Sequence, residues 1–467
     1  MSDIEDLIVS GRNVILPGFD DLGPQPATIV ISMITGKITE IRREYTSVDL
    51  ARNPHPNTRW IDAGDYFVLP GLVDAHVHLN EPGRTDWEGF WTGTRAAVSG
   101  GITTVVDMPL NSIPPTTTVQ NLDLKRKTAT GQCWADVAFW GGAIPGNEKH
   151  MKPLVSAGVK GFKCFLIESG VEEFPCVSED NLRTHMNELK GEDTVLLFHA
   201  ELESTSSTTD QSHGSQDPTA YETFLNSRPE DMEVNAIALI TRLQEEYKSL
   251  RCHIVHLSAS SALPVIRAAR SRDLKLTVET CFHYLCLSAS NLLNRRPEFK
   301  CCPPIRDQSN QNELWKALID GDIDFVVSDH SPCVTELKKL DQGDIMAAWG
   351  GINSLGLGLS LLWTEGQRRG VGINRIIRWL SEKTAEHAGL SGSKGKLAVG
   401  LDGDFVIWDP NAEFEVSKEG FHFKNKLSAY EGMSLHGVVQ QTFLRGKLAY
   451  DRIRNGFDGL APLGSLL

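Results

Sequence analysis

The chain has 467 residues, which is enough for a large barrel together with a smaller domain. Hydrophobic residues make up 40% and charged residues 23%, as in ordinary globular proteins. With 60 acidic and 46 basic residues the net charge is -14, and no lysine- or arginine-rich run occurs, so nucleic-acid binding is not expected.

The sequence lacks the features that direct a chain to a membrane or to secretion. No apolar run approaches the roughly 20 residues that span a bilayer, and the acidic stretch MSDIEDLIVSGRN does not have the layout of a signal peptide. Nine scattered cysteines, an odd number without a C-x-x-C pair, favour free thiols in a reducing compartment. We therefore expect a cytoplasmic protein that makes no membrane contact.

Strand-like segments at both ends of the chain enclose a central region with a different pattern. The two ends alternate apolar and polar residues with Gly and Pro between them, which predicts short strands. We expect residues 1–66 and 399–467 to combine into one small β-sandwich domain. In residues 67–398, short apolar strands alternate with helix-like stretches, as in βαβ units.

Eight strands are predicted in the central region. Eight strand–helix repeats predict a (β/α)8 barrel of the TIM type, an α/β fold whose active sites form at the carboxyl ends of the strands. The predicted strands are 72–78, 103–108, 136–142, 161–166, 194–200, 252–258, 275–281 and 324–330.

A low-complexity stretch, ESTSSTTDQSHGSQDP at residues 203–218, follows the fifth predicted strand. It would therefore lie on the face of the barrel where active sites form. A mobile lid and a solvated insertion are the two alternatives for this stretch.

Residue types that bind metals occur at the ends of five of the eight predicted strands. The first strand ends in His76 and His78, whose side chains point to one face because they are two residues apart. Each such residue alone has an ordinary explanation, for example a hydrogen-bonded core histidine. Together they predict one metal-binding mouth, formed by His76, His78, Lys163, His199, His256 and Asp329.

Lys163 is unusual because it lies between Phe162 and Cys164 in an apolar strand, where burial disfavours a lysine. The amine could snorkel to the mouth without a function. The alternative is chemical, because imidazoles and an aspartate suit zinc, and two ions about 3.5–4 Å apart need a bridging anion. A charged amine has no lone pair to give. A lysine that has reacted with carbon dioxide is anionic and bidentate, so we expect Lys163 to be N6-carboxylysine.

Eight motifs of this chain resemble those of the cyclic amidohydrolases, which hydrolyse ring amides with a two-zinc centre. The resemblance implies a barrel accompanied by a small β domain from both termini. It also implies a homo-oligomer, with a homotetramer as the expected state. The motifs are GLVDAHVHLNEPGR, GGITTVVDMP, GFKCFL, FHAE, HIVHLSAS, VETCFHYL, KCCPPIR and VVSDHSPC, and they span nearly the whole chain.

The resemblance implies a role for each residue of the metal-binding mouth. His76, His78 and Asp329 would hold one Zn²⁺ of each subunit. His199 and His256 would hold the second, and carboxylated Lys163 and a hydroxide would bridge the two. Non-catalytic relatives have lost such ligands. All six positions here carry the expected residue type, which argues against a non-catalytic scaffold.

Other segments bear on which ring is hydrolysed. Dihydroorotases carry an arginine two residues after the H-x-H pair, where it binds the substrate carboxylate, whereas this chain has Asn80. The segments NEPGRTDWEGFWTGTRAA, YETFLNSRPEDMEVNAI and AAWGGINSLGL look like those of allantoinases. The resemblance therefore implies hydrolysis of (S)-allantoin, an uncharged small molecule, to allantoate in purine degradation. A hydantoinase or dihydropyrimidinase is the alternative.

This interpretation makes Asp329 the catalytic residue, which accepts the proton of the hydroxide and delivers it to the departing ring nitrogen. Asn80 and His283 are candidate substrate-binding residues. A turn residue and a structural histidine on the seventh strand are the competing interpretations of these two. Cys302 departs from the small polar residue or asparagine of many relatives, which leaves the substrate contacts of its loop open.

Overall fold

The protein combines a parallel barrel with a mostly antiparallel sheet, in a computed structural model that describes residues 4–18, 23–47, 57–203 and 217–467. The strands within these residues, in chain order, are β1 (Asp6–Val14), β2 (Gln25–Ser32), β3 (Ile38–Arg42), β4 (Thr58–Pro70), β5 (Leu72–Val77), β6 (Ile102–Asp107), β7 (Asp136–Phe139), β8 (Gly141–Gly142), β9 (Phe162–Phe165), β10 (Val195–His199), β11 (Arg251–Ile254), β12 (Leu276–Cys281), β13 (Phe325–Val327), β14 (Phe405–Glu415), β15 (Ser434–Leu444) and β16 (Lys447–Asp451).

Strands β5 to β13 form the barrel. They are parallel and pair in two runs, β5–β6–β7 and β8–β9–β10–β11–β12–β13. Only Trp140 separates β7 from β8, so these two short strands together occupy the place of the third predicted strand. A parallel bridge between Val77 and His330 joins β5 to the segment after β13 and closes the ring. The predicted (β/α)8 barrel is therefore confirmed.

Most barrel strands are buried along their whole length, which explains why their sequences are largely continuous apolar runs. Helices cover the outside of the barrel, and no described helix has the length and hydropathy of a bilayer-spanning segment. The α-helices are α1 (Phe90–Ser99), α2 (Val119–Ala129), α3 (Glu148–Ser156), α4 (Glu179–Glu188), α5 (Tyr221–Ser227), α6 (Asp231–Gln244), α7 (Leu263–Arg270), α8 (Phe282–Cys286), α9 (Gln308–Asp320), α10 (Gly358–Arg368), α11 (Ile373–Ile377) and α12 (Lys383–His387).

Local sequence signals set the ends of several helices. Before α4, Ser178 and Asn181 form a reciprocal capping box that satisfies two backbone N–H groups. Before α9, the Asp307 carboxylate accepts a hydrogen bond from the Asn310 backbone N–H. The same helix ends at Gly321, whose φ of 89° is readily adopted only by glycine.

Both termini contribute to one seven-stranded sheet with the order β16–β15–β14–β4–β1–β2–β3. Its strands alternate inward and outward residues around a separate apolar core, which includes Leu7, Ile31 and Phe443. Gly403 hydrogen-bonds to Gly36 after β2 and to Gly446 after β15, so the two ends of the sheet approach each other over this core. The predicted small β domain from both termini is confirmed. Its boundaries at residues 66/67 and 398/399 stay a prediction.

A buried ion cluster connects the barrel with the terminal sheet. The Lys394 amine lies 2.5 Å from Asp136 at the start of β7, and 2.7 Å from each of Asp402 and Asp404. The guanidinium of Arg445, in the β15–β16 turn, lies 2.5 Å from the same Asp136 oxygen. Burial alone would lower the pKa of Lys394, but the surrounding carboxylates raise it above its usual value. The Lys394 amine therefore stays charged near neutral pH.

Removing this amine should destabilise the fold. We expect Lys394→Met to lower the free energy of unfolding by about 3–5 kcal/mol, because it leaves buried carboxylates without their cation. Urea unfolding at pH 7 measures the change. Lys316→Met is the matched control, since Lys316 is exposed on α9 and pairs with the exposed Asp320. The control should change stability by less than about 0.5 kcal/mol. Equal, small losses in both variants would contradict the role of the cluster.

Candidate active site

One cavity of about 490 Å³ opens at the carboxyl ends of the barrel strands. All six residues of the predicted metal-binding mouth line this cavity. Three of them lie within β5, β9 and β10, and three lie in the turns that directly follow β5, β11 and β13. They are His76, His78, Lys163, His199, His256 and Asp329.

Within the cavity, His76, His78 and Asp329 form a first group. The Oδ1 atom of Asp329 lies 3.1 Å from Nε2 of His76 and 3.7 Å from Nε2 of His78. One potential ligand atom from each of the three residues lies within 4.8 Å of the others. Asp329 has a left-handed backbone with φ 42°, which is uncommon outside glycine and concentrates at functional sites.

His199 and His256 form a second group beside the first. Nδ1 of His199 lies 3.1 Å from Nε2 of His256, and the His256 ring centroid lies 5.4 Å from that of His76. Burial lowers the pKa of both His199 and His256. Both imidazoles are therefore neutral at pH 7, which is the form that binds a metal ion.

The Lys163 amine differs from other buried amines of the protein in its surroundings. The residue is 1% exposed, and Nζ lies 5.3 Å from the ring centroid of Phe165. No hydrogen bond or ion pair to Lys163 occurs within the part of the chain that the structure describes. Other buried lysines donate to carboxylate or carbonyl oxygens, namely Lys125, Lys300, Lys338 and Lys394.

Two buried glutamates each contact a cavity histidine and orient its ring. Oε1 of Glu279 lies 2.5 Å from Nδ1 of His76, and Oε2 of Glu201 lies 2.8 Å from Nε2 of His199. Each carboxylate engages one ring nitrogen, so the other nitrogen of each ring remains for a ligand in the cavity. Carboxylates that hold metal-binding histidines in this way fix the ring orientation and the tautomer.

Neither glutamate was predicted, although the sequence carries a signal for each. Glu201 follows His199 by two residues and therefore shares its face at the end of a strand. Glu279 lies inside the buried strand β12, the same anomaly that singled out Lys163. Arg228 was also missed. It lines the cavity and lies 2.5 Å from Glu201, at the end of a helix whose placement the sequence alone does not give.

Two predicted substrate-binding candidates do not line the cavity. Asn80 is 1% exposed and its Nδ2 donates to the carbonyl oxygen of Pro332 at 3.2 Å. His283 lies in α8, just after β12, where its Nδ1 is 2.8 Å from the hydroxyl of Tyr430. Their part in substrate binding stays a prediction. Cys302, by contrast, does line the cavity.

The low-complexity stretch 203–218 lies mostly outside the described residues, which omit 204–216. Glu203, its first residue, lines the cavity. Both alternatives for this stretch, a lid and a solvated insertion, stay predictions.

Two buried lysines hold the loop of residues 346–351, which forms one wall of the cavity. Lys300 donates to two carbonyl oxygens of this loop, at 2.7 and 2.8 Å. Lys338 donates to two others, one of them at 3.1 Å. Two ammonium groups thus fix the backbone of the wall through the carbonyls of Met346, Ala348, Trp349 and Gly351.

Comparison with known proteins gives the family. Residues 67–449 match the amidohydrolase family, which is well over half of the chain. The chain belongs to the amidohydrolase family. This amidohydrolase is therefore an enzyme, a hydrolase of a type that generally binds metal ions, and the alternative of a non-catalytic scaffold is not supported.

Two relatives of this amidohydrolase are similar over nearly their whole length. An allantoinase from Saccharomyces cerevisiae is 46% identical and covers 98% of this chain and 98% of its own. An allantoinase from Streptomyces avermitilis is 45% identical and covers 100% of this chain and 99% of its own.

Solved structures of related enzymes share the fold of this amidohydrolase. The L-hydantoinase (dihydropyrimidinase) from Arthrobacter aurescens has a TM-score of 0.85 and 28% identity, and covers 95% of both chains. The dihydropyrimidinase from Brevibacillus agri has a TM-score of 0.86 and 26% identity, and covers 99% of this chain and 98% of its own.

The cavity wall held by Lys300 gives a prediction. Lys300→Met should loosen the loop 346–351, because the buried carbonyl oxygen of Ala348 and the partly buried one of Met346 lose their donor. A buried acceptor without a partner costs about 1–3 kcal/mol. We expect amide hydrogen exchange in this loop to quicken at least about tenfold, as measured by mass spectrometry. Lys316→Met, on the exposed face of α9, should leave exchange in the loop unchanged. Unchanged exchange in Lys300→Met would show that the loop does not depend on this amine.

Proposed function

We propose that this amidohydrolase is an allantoinase, which hydrolyses the ring amide of (S)-allantoin to allantoate with two zinc ions. The similarity to allantoinases over nearly the whole chain supports the proposal most strongly. A third relative, the mitochondrial allantoinase of Aquarana catesbeiana, is 53% identical over 71% of this chain. Hydantoinases and dihydropyrimidinases share the fold at 26–28% identity, so they define the second candidate.

The donor atoms of the cavity fit two metal ions. His76, His78 and Asp329 would hold one ion, since their potential ligand atoms gather within 4.8 Å. His199 and His256 would hold the other, since two neutral ring nitrogens face each other at 3.1 Å. Such a set of imidazole and carboxylate donors suits zinc.

The proposed carboxylation of Lys163 is supported by the surroundings of its amine. Burial lowers the pKa of Lys163 to about 8, so part of the amine is neutral near pH 7. A neutral amine attacks the carbon of carbon dioxide, so that the N–C bond forms while one C=O π bond breaks and its electron pair moves to oxygen. The nitrogen then releases a proton to water, which leaves a carbamate. The carbamate supplies the anion that a pair of cations requires, in a place where no carboxylate of the described residues contacts the amine.

The proposed chemistry divides between the metal ions and Asp329. When bound, the zinc ions would lower the pKa of a water molecule and polarise the scissile carbonyl group. Although burial opposes it, the nearby imidazoles of His76 and His78, whose Nε2 atoms lie 3.1 and 3.7 Å from Oδ1, hold the pKa of Asp329 well below its usual range. Asp329 is therefore an ionised carboxylate at neutral pH. It accepts a proton from the attacking water and delivers it to the departing ring nitrogen.

The charges of the cavity wall support an uncharged substrate. The Arg228 guanidinium is paired with Glu201, and the Lys300 amine is bound by two carbonyl oxygens. Glu201 therefore offsets the charge of Arg228, and the two carbonyl oxygens occupy donors of the Lys300 amine, which favours an uncharged substrate over a carboxylate. The remaining polar groups of the described lining suit a ring with several N–H and C=O groups, and they include Asn111, Glu168, Ser169, Ser227 and Ser331.

The proposal extends to assembly and location. We infer a homo-oligomer, with a homotetramer as the state expected from the resemblance to cyclic amidohydrolases. The cytoplasm is the proposed location, which the nine free cysteines favour.

A substrate panel tests the proposed function. Protein loaded with zinc and bicarbonate is assayed in parallel with allantoin, hydantoin, dihydrouracil and dihydroorotate. We expect kcat/KM for allantoin to exceed that for dihydrouracil by about 10⁴-fold, because a site built to hydrogen-bond the ureido arm rejects a ring without it. Dihydroorotate should be a very poor substrate, since a buried carboxylate without a partner costs several kcal/mol.

The panel has an internal control and a clear contrary result. Asp329→Asn protein, prepared identically, should lose about 10²-fold or more in kcat. Activity that remains in this sample therefore measures contaminating hydrolases. Faster turnover of dihydrouracil or of a simple 5-substituted hydantoin than of allantoin would replace the allantoinase proposal with the hydantoinase alternative.

A further inference from the structure

Part of the loop between β14 and β15 extends from the terminal sheet to the barrel. It comprises residues 421–430 and is called the bridging segment here. Its side chains Phe423, Ser428 and Tyr430 are 1%, 4% and 0% exposed. The hydroxyl of Tyr430 lies 2.8 Å from Nδ1 of His283, in the helix that follows β12. The bridging segment therefore connects the small β domain with the end of the barrel at which the cavity opens.

Asn425, in the middle of the bridging segment, joins two parts of the barrel that are distant in sequence. Its Nδ2 donates to the carbonyl oxygen of Trp87, in the turn after β5, at 2.7 Å, and to that of Asp86 at 3.0 Å. Its own carbonyl oxygen accepts a hydrogen bond at 2.7 Å from Nδ2 of Asn353, which lies between β13 and α10. The buried Ser428 hydroxyl donates to the carbonyl oxygen of Asn353 at 2.5 Å. One asparagine thus holds the turn after β5 and the segment before α10 together.

Trp87 connects this contact with the wall of the cavity. The ring centroids of Trp87 and Trp349 lie 4.7 Å apart in an edge-to-face arrangement, which is a favourable geometry for two aromatic rings. Trp349 belongs to the loop 346–351 and lines the cavity. The same loop ends two residues before Asn353. Asn425 therefore supports Trp349 from two directions, through the Trp87 ring and through the backbone that follows the loop.

A second contact of the bridging segment reaches the neighbour of Asp329. The backbone N–H of Lys424 donates to Oε1 of Glu88 at 3.1 Å. Oε2 of Glu88 lies 3.1 Å from Nε2 of His330, and both residues are 0% exposed. The ring of Phe423 packs against His330 with centroids 5.5 Å apart. The bridging segment thus supports the chain next to Asp329 as well as the cavity wall.

We propose that Asn425 is a positioning residue, which holds the turn after β5 and the segment before α10 together and thereby fixes Trp349 in the cavity wall. Asn425 does not belong to the described lining of the cavity, so it acts on a bound ring through Trp349. Its contacts exist whichever ring is hydrolysed, and the inference therefore goes beyond the proposed function. Loss of these contacts should weaken binding of the ring without removing a reacting group.

Asn425→Asp is the test variant, because aspartate has the same shape but presents an oxygen to the Trp87 carbonyl group instead of an N–H donor. We expect amide hydrogen exchange in residues 84–88 and 346–353 to quicken about tenfold or more. KM for the ring that the wild type hydrolyses fastest should rise about fivefold or more while kcat changes less than about twofold, the pattern of lost uniform binding. Zinc content should equal that of the wild type. Asn425→Ala, which removes the donor without adding a charge, should change exchange and KM in the same direction.

A double-mutant cycle distinguishes this role from a general loss of stability. In a Trp349→Ala background, Asn425→Asp should raise KM by less than about twofold, because the side chain through which Asn425 acts is already absent. Asn411→Asp is the matched control, since Asn411 is exposed on β14 of the same sheet and its backbone N–H donates to Asp409 at 3.0 Å. The control should leave KM, kcat and hydrogen exchange unchanged.

An unchanged KM in both Asn425 variants would overturn the inference. A rise in KM of the same size with and without Trp349, or a loss of zinc that accounts for the whole defect, would overturn it as well. Failure of the proposed function is detected separately, from the ring that the wild type prefers. It does not alter the comparison of the Asn425 variants with the wild type.

Discussion

A lysine amine buried in a barrel strand, without an oxygen partner from the described residues, is the constraint on which this site depends. Lys163 is 1% exposed, and a cation there is unfavourable unless something compensates it. The proposed carboxylation would resolve the problem by converting the amine to an anion, which in turn needs cations. The histidines and the aspartate around the cavity would hold such cations. In this proposal, carboxylated Lys163 and the metal ions therefore stabilise each other.

Rigid supports behind the cavity allow this assembly to form in one geometry. Glu279 and Glu201 each engage one nitrogen of a histidine and leave the other nitrogen for the cavity. The amines of Lys300 and Lys338 fix the opposite wall through carbonyl oxygens. Because the side chains of such a pre-organised site are already ordered, little of the binding free energy of the substrate is used to order them.

The sequence predicts much of this architecture because period and position are local properties. Alternation of strands and helices gives the barrel, and residue type at a strand end places His76 or Asp329 at the mouth. Long-range contacts are not local in this sense. How distant turns pack decides which residues Glu201 and Glu279 contact. It also decides that Arg228 lines the cavity and that Asn80 and His283 do not. The split of the third strand at Trp140 is likewise a packing result.

The carboxylation of Lys163 is tested most directly by carbon-13 NMR together with zinc analysis of protein prepared in labelled bicarbonate. We predict a carbamate carbon signal and about two zinc ions per chain. Both should disappear in Lys163→Ala and persist in Lys160→Ala, which removes a neighbouring lysine outside the cavity lining. Two tightly bound zinc ions without a carbamate signal, or full zinc content in Lys163→Ala, would contradict the account.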